Sequence, residues 1–393
     1  MKQPTGVTPN DSLPDRFNWL TFGIWAVVLV ILLCWRVGAS PEQIEQVYSR
    51  GLFPLLRQPW DVVANLVPFP IFYIFWVVIV VILARALVQS KQETSRVGEG
   101  STRWQRASRL LARFTPRLLR FGLQITVLFL VMWGFNYGRV PVEESIGFER
   151  YQPTQEELRE RVYAEAGELR ELRRQLTSDT SALSARLAPD NLEVSIRPLV
   201  SGALLKHNFP APGKPRARQL RPKGVLLSWS TAGVYWPWAG EANIDAGLHH
   251  LQKPAVMAHE FGHAYGFGDE GTCTFWAYLA GLEATDPYLK YCFKLAYWRQ
   301  IAGRLRRVEP ERYTAWRAAE LDVGIRNDLQ AIYDNQALYR DIAPVVRDLT
   351  YDAYLRTQGV HGGLANYGTV IQLVEGYRAR GTRSMSVTGS SAL

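Results

Sequence analysis

The stretch PAVMAHEFGHAYGFGDE, residues 254–270, decides what kind of domain surrounds it. Within it, His259-Glu260-Phe261-Gly262-His263 sets two histidines four positions apart. On a helix those positions share one face, so both imidazoles converge on one point while Glu260 reaches a water held there. A histidine pair with an adjacent carboxylate is what one zinc ion needs for metal-assisted hydrolysis, with Glu260 as general base. Pro254 near the start and Gly266 near the end suit the two ends of a helix. The other histidines are few, only His207, His249, His250 and His361, so the pair does not follow from a histidine-rich composition.

A catalytic zinc takes three protein ligands and keeps one open position. Two acids stand ready directly after the helix. Asp269 completes HExxHxxGxxD, the metzincin-like spacing, in which the glycine turns the chain back toward the metal. Glu270 would instead open a following helix, as in gluzincins. The only methionine after the motif is Met385, which leaves a metzincin Met-turn little to draw on, so Glu270 is the favoured third ligand and Asp269 the alternate.

Upstream, three runs lack any charge: Phe17 to Trp35, Val62 to Ala84 and Phe121 to Gly138. A helix needs about 20 mostly apolar residues to cross the hydrocarbon core, so these predict transmembrane helices over about 17–35, 62–84 and 121–138 in a membrane region 1–138. Trp19, Trp35, Trp60, Trp133 and Tyr137 fall at or near their ends, where amphipathic aromatics favour the headgroup level. A cleaved signal peptide fits the first run poorly, because Asp11 and Asp15 dilute its positive region.

The formal net charge of +9 is unevenly placed. Residues 1–138 hold fourteen Lys/Arg against seven Asp/Glu, and nine of those bases lie between Arg85 and Arg120 beside only Glu93 and Glu99. A loop this rich in arginine predicts a cytoplasmic segment facing anionic headgroups, with the N-terminus on the same side and the large C-terminal part outside. The remainder is nearly neutral, so a nucleic-acid groove is not expected.

Residues 139–380 predict one further domain. Thr154 and Glu157 form a capping box before Leu158, Val162, Leu169, Leu172 and Leu176, predicting a long amphipathic helix over 155–187. The proline-rich, basic segment 207–223 reads as an exposed loop. Val225–Trp229, Val234–Trp238 and Gly240–Asp245 read as short strands, giving a small sheet before the site helix. Past residue 275 the pattern is mainly helical, and 381–393 is a Ser/Thr/Gly-rich tail expected to be disordered. Three cysteines make no disulfide framework, so Cys273 and Cys292 are expected unpaired.

His259-Glu260-x-x-His263-x-x-Gly266-Phe267-x-x-Glu270 followed by Phe275-x-Ala277-Tyr278-Leu279 resembles the bacterial membrane proteins grouped as domain of unknown function 3810, regarded as zinc metallopeptidases. Trp133-Gly134-x-Asn136-Tyr137-x-Arg139-x-Pro141, Pro237-x-x-Gly240-Glu241-Ala242-Asn243, Tyr351-Asp352-x-Tyr354-Leu355 and Tyr367-Gly368 extend the resemblance to about residue 375. It implies a membrane-anchored, mainly α protein of the bacterial cytoplasmic membrane: three N-terminal transmembrane helices, then an α+β zincin-like, gluzincin-type domain with a small sheet beside the HExxH helix. The chain departs from the family where Glu270-Gly271-Thr272-Cys273-Thr274 keeps only the first acid of a Glu-x-Glu-Ala-Asn pattern. A similar Glu-x-x-Ala-Asp pattern in membrane-bound gluzincins supports Glu270 as ligand, while the missing partners weaken the expected support of the ligands.

Glu241 and Asn243 are candidates for supporting the ligands or aligning a substrate, and His361 and Tyr367 for stabilising an oxyanion. The expectation is one Zn2+ and hydrolysis of an unknown peptide or protein substrate outside the membrane. Two alternatives stand beside it: a zinc amidase acting on a non-protein amide, and a non-catalytic membrane protein whose metal site is structural or vestigial. Glu260 favours catalysis, since a structural zinc needs no general base.

Overall fold

The computed structural model describes residues 18–95, 102–342, 344–358 and 368–389. His361 and Tyr367 lie outside the described residues, so their proposed role in holding an oxyanion has no structural account. The described chain is mainly helical with one small mixed sheet, and its contacts divide it into two compact units.

The first unit comprises residues 1–38 and 73–131. It holds α1 (Trp19–Gly38), most of α4 (Ile71–Ser95) and all but the last residue of α5 (Arg103–Met132). All three helices are long and apolar enough to cross a membrane. Their bounds differ from those read in the sequence. The run beginning at Val62 is broken by Pro68 and Pro70, so the second candidate span starts at Ile71. Most of the expected loop 85–120 is helix: α4 continues to Ser95, and α5 begins at Arg103 and ends at Met132 instead of spanning 121–138. Arginine is a good helix former, and here it also finds a partner, because Arg117 of α5 bonds Glu93 at 2.5 Å and the Ser90 hydroxyl at 3.2 Å.

The second unit comprises residues 39–72 and 132–393. It opens with α2 (Pro41–Gln43), capped by Ser40 and Gln43 in a reciprocal capping box. A π-helical segment, Ile44–Leu52, and α3 (Phe53–Asn65) follow. After a 3₁₀ turn over Gly134–Gly138 and the short α6 (Val142–Ile146) comes α7 (Gln155–Leu176), with the capping box expected at Thr154 and Glu157. It stops well before residue 187. The Asp179 carboxylate accepts the Ser181 N–H, and Arg173 donates to the carbonyls of Asp179 and Ser181, folding the chain back on the helix end.

Beyond α8 (Leu192–Lys206), three strands form a sheet of order β1-β3-β2: β1 (Arg216–Leu220), β2 (Gly233–Trp236) and β3 (Glu241–Asp245). β3 is central, parallel to β1 with Arg216 opposite Glu241, and antiparallel to β2 with Tyr235 opposite Ala242. Two sequence expectations fail here. The segment 207–223 is not all exposed loop, because buried Arg216 and half-buried Arg218 take up Glu241 and Glu193 and extend a strand through it. Val225–Trp229 is no strand but a turn with 3₁₀ geometry over Leu227–Trp229. The buried Asp245 carboxylate imposes that turn by accepting the N–H groups of Gly224, Leu226 and Leu227 as well as Gly247.

The sheet supports α9 (Lys253–Ala264), which packs on β3 and β2 and against α8 and α10 (Glu270–Glu283). Then α11 (Pro287–Val308) lies on α7, followed by α12 (Pro310–Ala319), α13 (Val323–Ala337), α14 (Pro344–Thr357) and α15 (Val370–Gly389), the last packed on α10. Helix α15 carries most of the expected disordered tail, and 390–393 lie outside the described residues. Cys273 and Cys292 are free thiols.

Candidate metal centre

The site forms where α9 hands the chain to α10. Gly266 sits between them at φ +91°, a left-handed conformation that glycine adopts at no steric cost. Its amide bonds back to the His263 carbonyl at 2.9 Å. The turn leaves Asp269 to cap α10, its side chain accepting the Thr272 N–H at 2.7 Å. Glu270, the first residue of α10, turns its carboxylate to the histidine face of α9: Oε2 lies 3.0 Å from His259 Nε2 and 3.4 Å from His263 Nε2. The two Nε2 atoms are 3.2 Å apart. The structure thus brings together His259, His263 and Glu270, with one donor atom from each within 4.8 Å of the others, whereas Asp269 is occupied at the helix cap.

Both imidazoles are held so that Nε2 faces this cluster. His263 Nδ1 lies 2.8 Å from the Phe267 carbonyl, which can only accept, so Nδ1 carries the proton. His259 Nδ1 lies 3.0 Å from the Thr274 hydroxyl. That hydroxyl gives its one proton to the Glu270 carbonyl at 2.9 Å, so it accepts from His259 Nδ1–H. Partners of this kind fix tautomer and ring orientation in metal sites. The residues Thr272-Cys273-Thr274, which depart from the expected Glu-Ala-Asn, therefore still supply support, through a neutral hydroxyl one helical turn past Glu270. Cys273 Sγ lies 3.2 Å from His263 Nδ1, on the ring edge away from the cluster, where it packs the imidazole without adding a donor to the cluster. Trp133, beside the end of α5, donates its indole N–H to the His263 carbonyl at 2.9 Å.

Replacement of Thr274 by Ala should weaken metal binding by about 10–100-fold, the usual cost of losing such a partner, and Ser should restore most of it. Competition against a chelator of known affinity checks this, and unchanged affinity in the Ala variant would remove Thr274 from the site.

Glu260 is buried on the sheet side of α9. The backbone N–H of Tyr235 in β2 bonds its carboxylate, and Oε2 has no hydrogen-bond partner among the described residues. Gly233 makes the approach possible: a Cβ there would fall 2.6 Å from Glu260 Oε1. Burial pushes the Glu260 carboxyl up to about 7 against the pull of the two histidines. Glu270 is held well below the usual carboxylate range despite its burial, because His263 and His259 surround it. Burial works against charge on His263, yet Cys273 and Glu270 hold its pKa well above normal. The Cys273 thiol, pushed up to about 12 by burial, is neutral at pH 7, which leaves Glu270 as the charge that keeps His263 protonated.

Glu241 and Asn243 lie on β3 and turn to other partners. The Glu241 carboxylate accepts the backbone N–H groups of Ile71 and Phe72 and sits 3.3 Å from Arg216, and burial pushes it up to about 7. Asn243 donates to the Glu241 carbonyl at 3.1 Å. Both shape the sheet beneath the site without joining the donor cluster.

Residues 48–374 match a family described as a protein of unknown function, DUF3810. The chain belongs to the DUF3810 family. No curated protein and no solved structure matches it. The matched span runs from within the π-helical segment to the first turn of α15, so the three donors, Glu260 and the sheet behind them all fall inside the DUF3810 match.

Proposed function

We propose that this DUF3810 protein is a membrane-bound, zinc-dependent metallopeptidase whose soluble domain lies outside the cytoplasmic membrane, opposite the arginine-rich segment. The observation that carries the reading is the convergence of His259 Nε2, His263 Nε2 and Glu270 Oε2 beside a buried carboxylate, Glu260, that is not itself part of the cluster. Two imidazoles and one carboxylate are the donor set of catalytic zinc sites, and a structural site would be closed by a fourth protein ligand. Cys273, the nearest thiol, faces the wrong edge of His263 to be that ligand.

When bound, a zinc ion supplies Lewis acidity toward a carbonyl oxygen and toward water. The chain supplies the rest. His259 and His263 offer lone pairs because Thr274 and Phe267 hold their protons on Nδ1. Glu260, ionised, takes a proton from the attacking water and can return it to the leaving amine. Tyr235 N–H orients the carboxylate for that transfer. Zinc-dependent cleavage of a peptide library by the purified full-length protein, lost with a chelator and regained with zinc, is the direct test, and no cleavage at any sequence would favour the non-protein amide or the non-catalytic reading.

The charge state of the cluster adds a prediction. A metal needs the lone pair on His263 Nε2, but without metal Glu270 keeps that imidazole protonated. Binding must therefore expel a proton, and Glu260, pushed up to about 7, adds a further fraction at neutral pH. Affinity should strengthen as pH rises through neutrality. Calorimetry at pH 7 in buffers of different ionisation enthalpy should show release of about one proton or more per zinc; release of none would contradict the charge assignment.

A further inference from the structure

Residues 44–66, the π-helical segment and α3, bury charged groups and expose large apolar ones. A helix that faces water turns its charges outward and its apolar stripe toward the core. Here the buried stripe holds Glu45, Ser49, Arg57 and Asp61 among Ile44, Tyr48, Phe53 and Ala64. Arg57 and Asp61, 3% and 2% exposed, pair with each other at 2.8 Å, and Glu45 pairs with Arg139 at 2.7 Å. Along α3 large apolar side chains point outward: Leu55, Val62 and Leu66 are 70%, 68% and 79% exposed. Between Gly51 and Phe72 Arg57 and Asp61 are the only charged residues, so the exposed surface of that stretch carries no charge.

Water is a poor neighbour for such a face, an apolar strip along one helix interrupted only by the uncharged Gln58 and Asn65. Lipid is a good one. Ionisable groups in membrane-embedded helices face the protein interior and pair with one another, and helices lying in the plane of the interface sink their apolar face about 5–10 Å into the headgroup and acyl boundary. Chain continuity puts the bilayer within reach at both ends. Only Ala39 and Ser40 separate α2 from the end of α1, and five residues separate α3 from the start of α4, both helices long and apolar enough to cross a membrane. Trp60, whose indole N–H donates to the Ala239 carbonyl at 2.7 Å, adds the amphipathic aromatic that favours the headgroup level.

We propose that the outward face of residues 52–66 is buried in the acyl-chain region of the bilayer, making α3 an in-plane membrane helix between two candidate spans. The inference stands apart from the metal reading, yet it bears on the site. Arg57 donates to the Tyr235 hydroxyl at 3.0 Å, and Tyr235 N–H holds Glu260. One residue, Tyr235, thus links the lipid-facing helix to the buried base.

Site-directed spin labelling of the full-length protein in phosphatidylcholine/phosphatidylglycerol nanodiscs tests this. In a Cys34→Ser background, which leaves only the buried Cys273 and Cys292, Leu55→Cys, Val62→Cys and Leu66→Cys are labelled one at a time, with Arg170→Cys on the exposed side of α7 as the water-facing reference. The expected result is collision with oxygen exceeding collision with a water-soluble nickel chelate at positions 55, 62 and 66, and the reverse at 170. Nickel-favoured collision at the three positions would overturn the proposal by showing a water-exposed face. Poor collision with both reagents would also overturn it, since the face would then be covered by protein, such as a second copy of the chain. Three separate exposed sites keep the test open if one variant fails to fold.

Discussion

Exchange of Glu260 for Gln is expected to lower hydrolysis by about 10²–10⁴-fold, the range a positioned general base contributes, while zinc stays bound at the wild-type level. The amide is nearly isosteric with the carboxylate, so the Tyr235 N–H keeps an oxygen to donate to and the tight approach to Gly233 is preserved. What disappears is the ability to take a proton from water. The loss should therefore fall on kcat, with KM little changed, and the variant should still hold substrate long enough for capture. Single-turnover measurement beside metal analysis separates the two effects. Undiminished turnover in the Gln variant on a peptide cleaved by the wild type would remove Glu260 from the mechanism.

Replacement of His263 by Ala should act at the other step and empty the centre. It removes one of three donors, and it also strips the buried Glu270 carboxylate of the imidazole that compensates its charge. Leaving one partner of a buried ion pair uncompensated costs about 3–5 kcal/mol, so even the metal-free variant should melt below the metal-free wild type. Metal analysis together with thermal denaturation in chelator reads both consequences. A variant that binds zinc as tightly as the wild type, with an unchanged melting temperature, would show that His263 neither ligates nor pairs.

Local spacing made the centre legible in the sequence. His259, Glu260 and His263 are fixed relative to one another by one helix, and Glu270 follows after a single glycine turn. Its supports were not legible, because they arrive through tertiary contact: Tyr235 and Gly233 from a strand some 25 positions upstream, Trp133 from the end of α5, and Thr274 from a position where the family pattern has asparagine. The one local clue was that Thr274 lies a helical turn beyond Glu270 and so shares its face. Glu241 and Asn243 looked like site residues from their nearness in sequence, but strand geometry sends Glu241 to Arg216 and to the amides of Ile71 and Phe72.

The same division runs through the fold. Hydropathy located three apolar helices but misjudged their ends, since it registers lipid affinity while the helix continues wherever residues such as Arg103 to Arg120 favour it. β1 was hidden because Arg216 and Arg218 resemble a solvated loop until Glu241 and Glu193 are brought to them. Residues 44–66 were hidden for a related reason. Nothing in the spacing of Arg57 and Asp61 sets the direction of their side chains, and only the structure shows that they point inward.

The central claim, one metal ion held by His259, His263 and Glu270, is tested most directly by metal content per chain in the purified full-length protein, measured for the wild type, Glu270→Ala and Asp269→Ala. The account predicts about one zinc per chain in the wild type, almost none in Glu270→Ala, and near wild-type content in Asp269→Ala, whose carboxylate caps α10. Zinc retained in Glu270→Ala and lost from Asp269→Ala, or no zinc in the wild type after reconstitution, would contradict it.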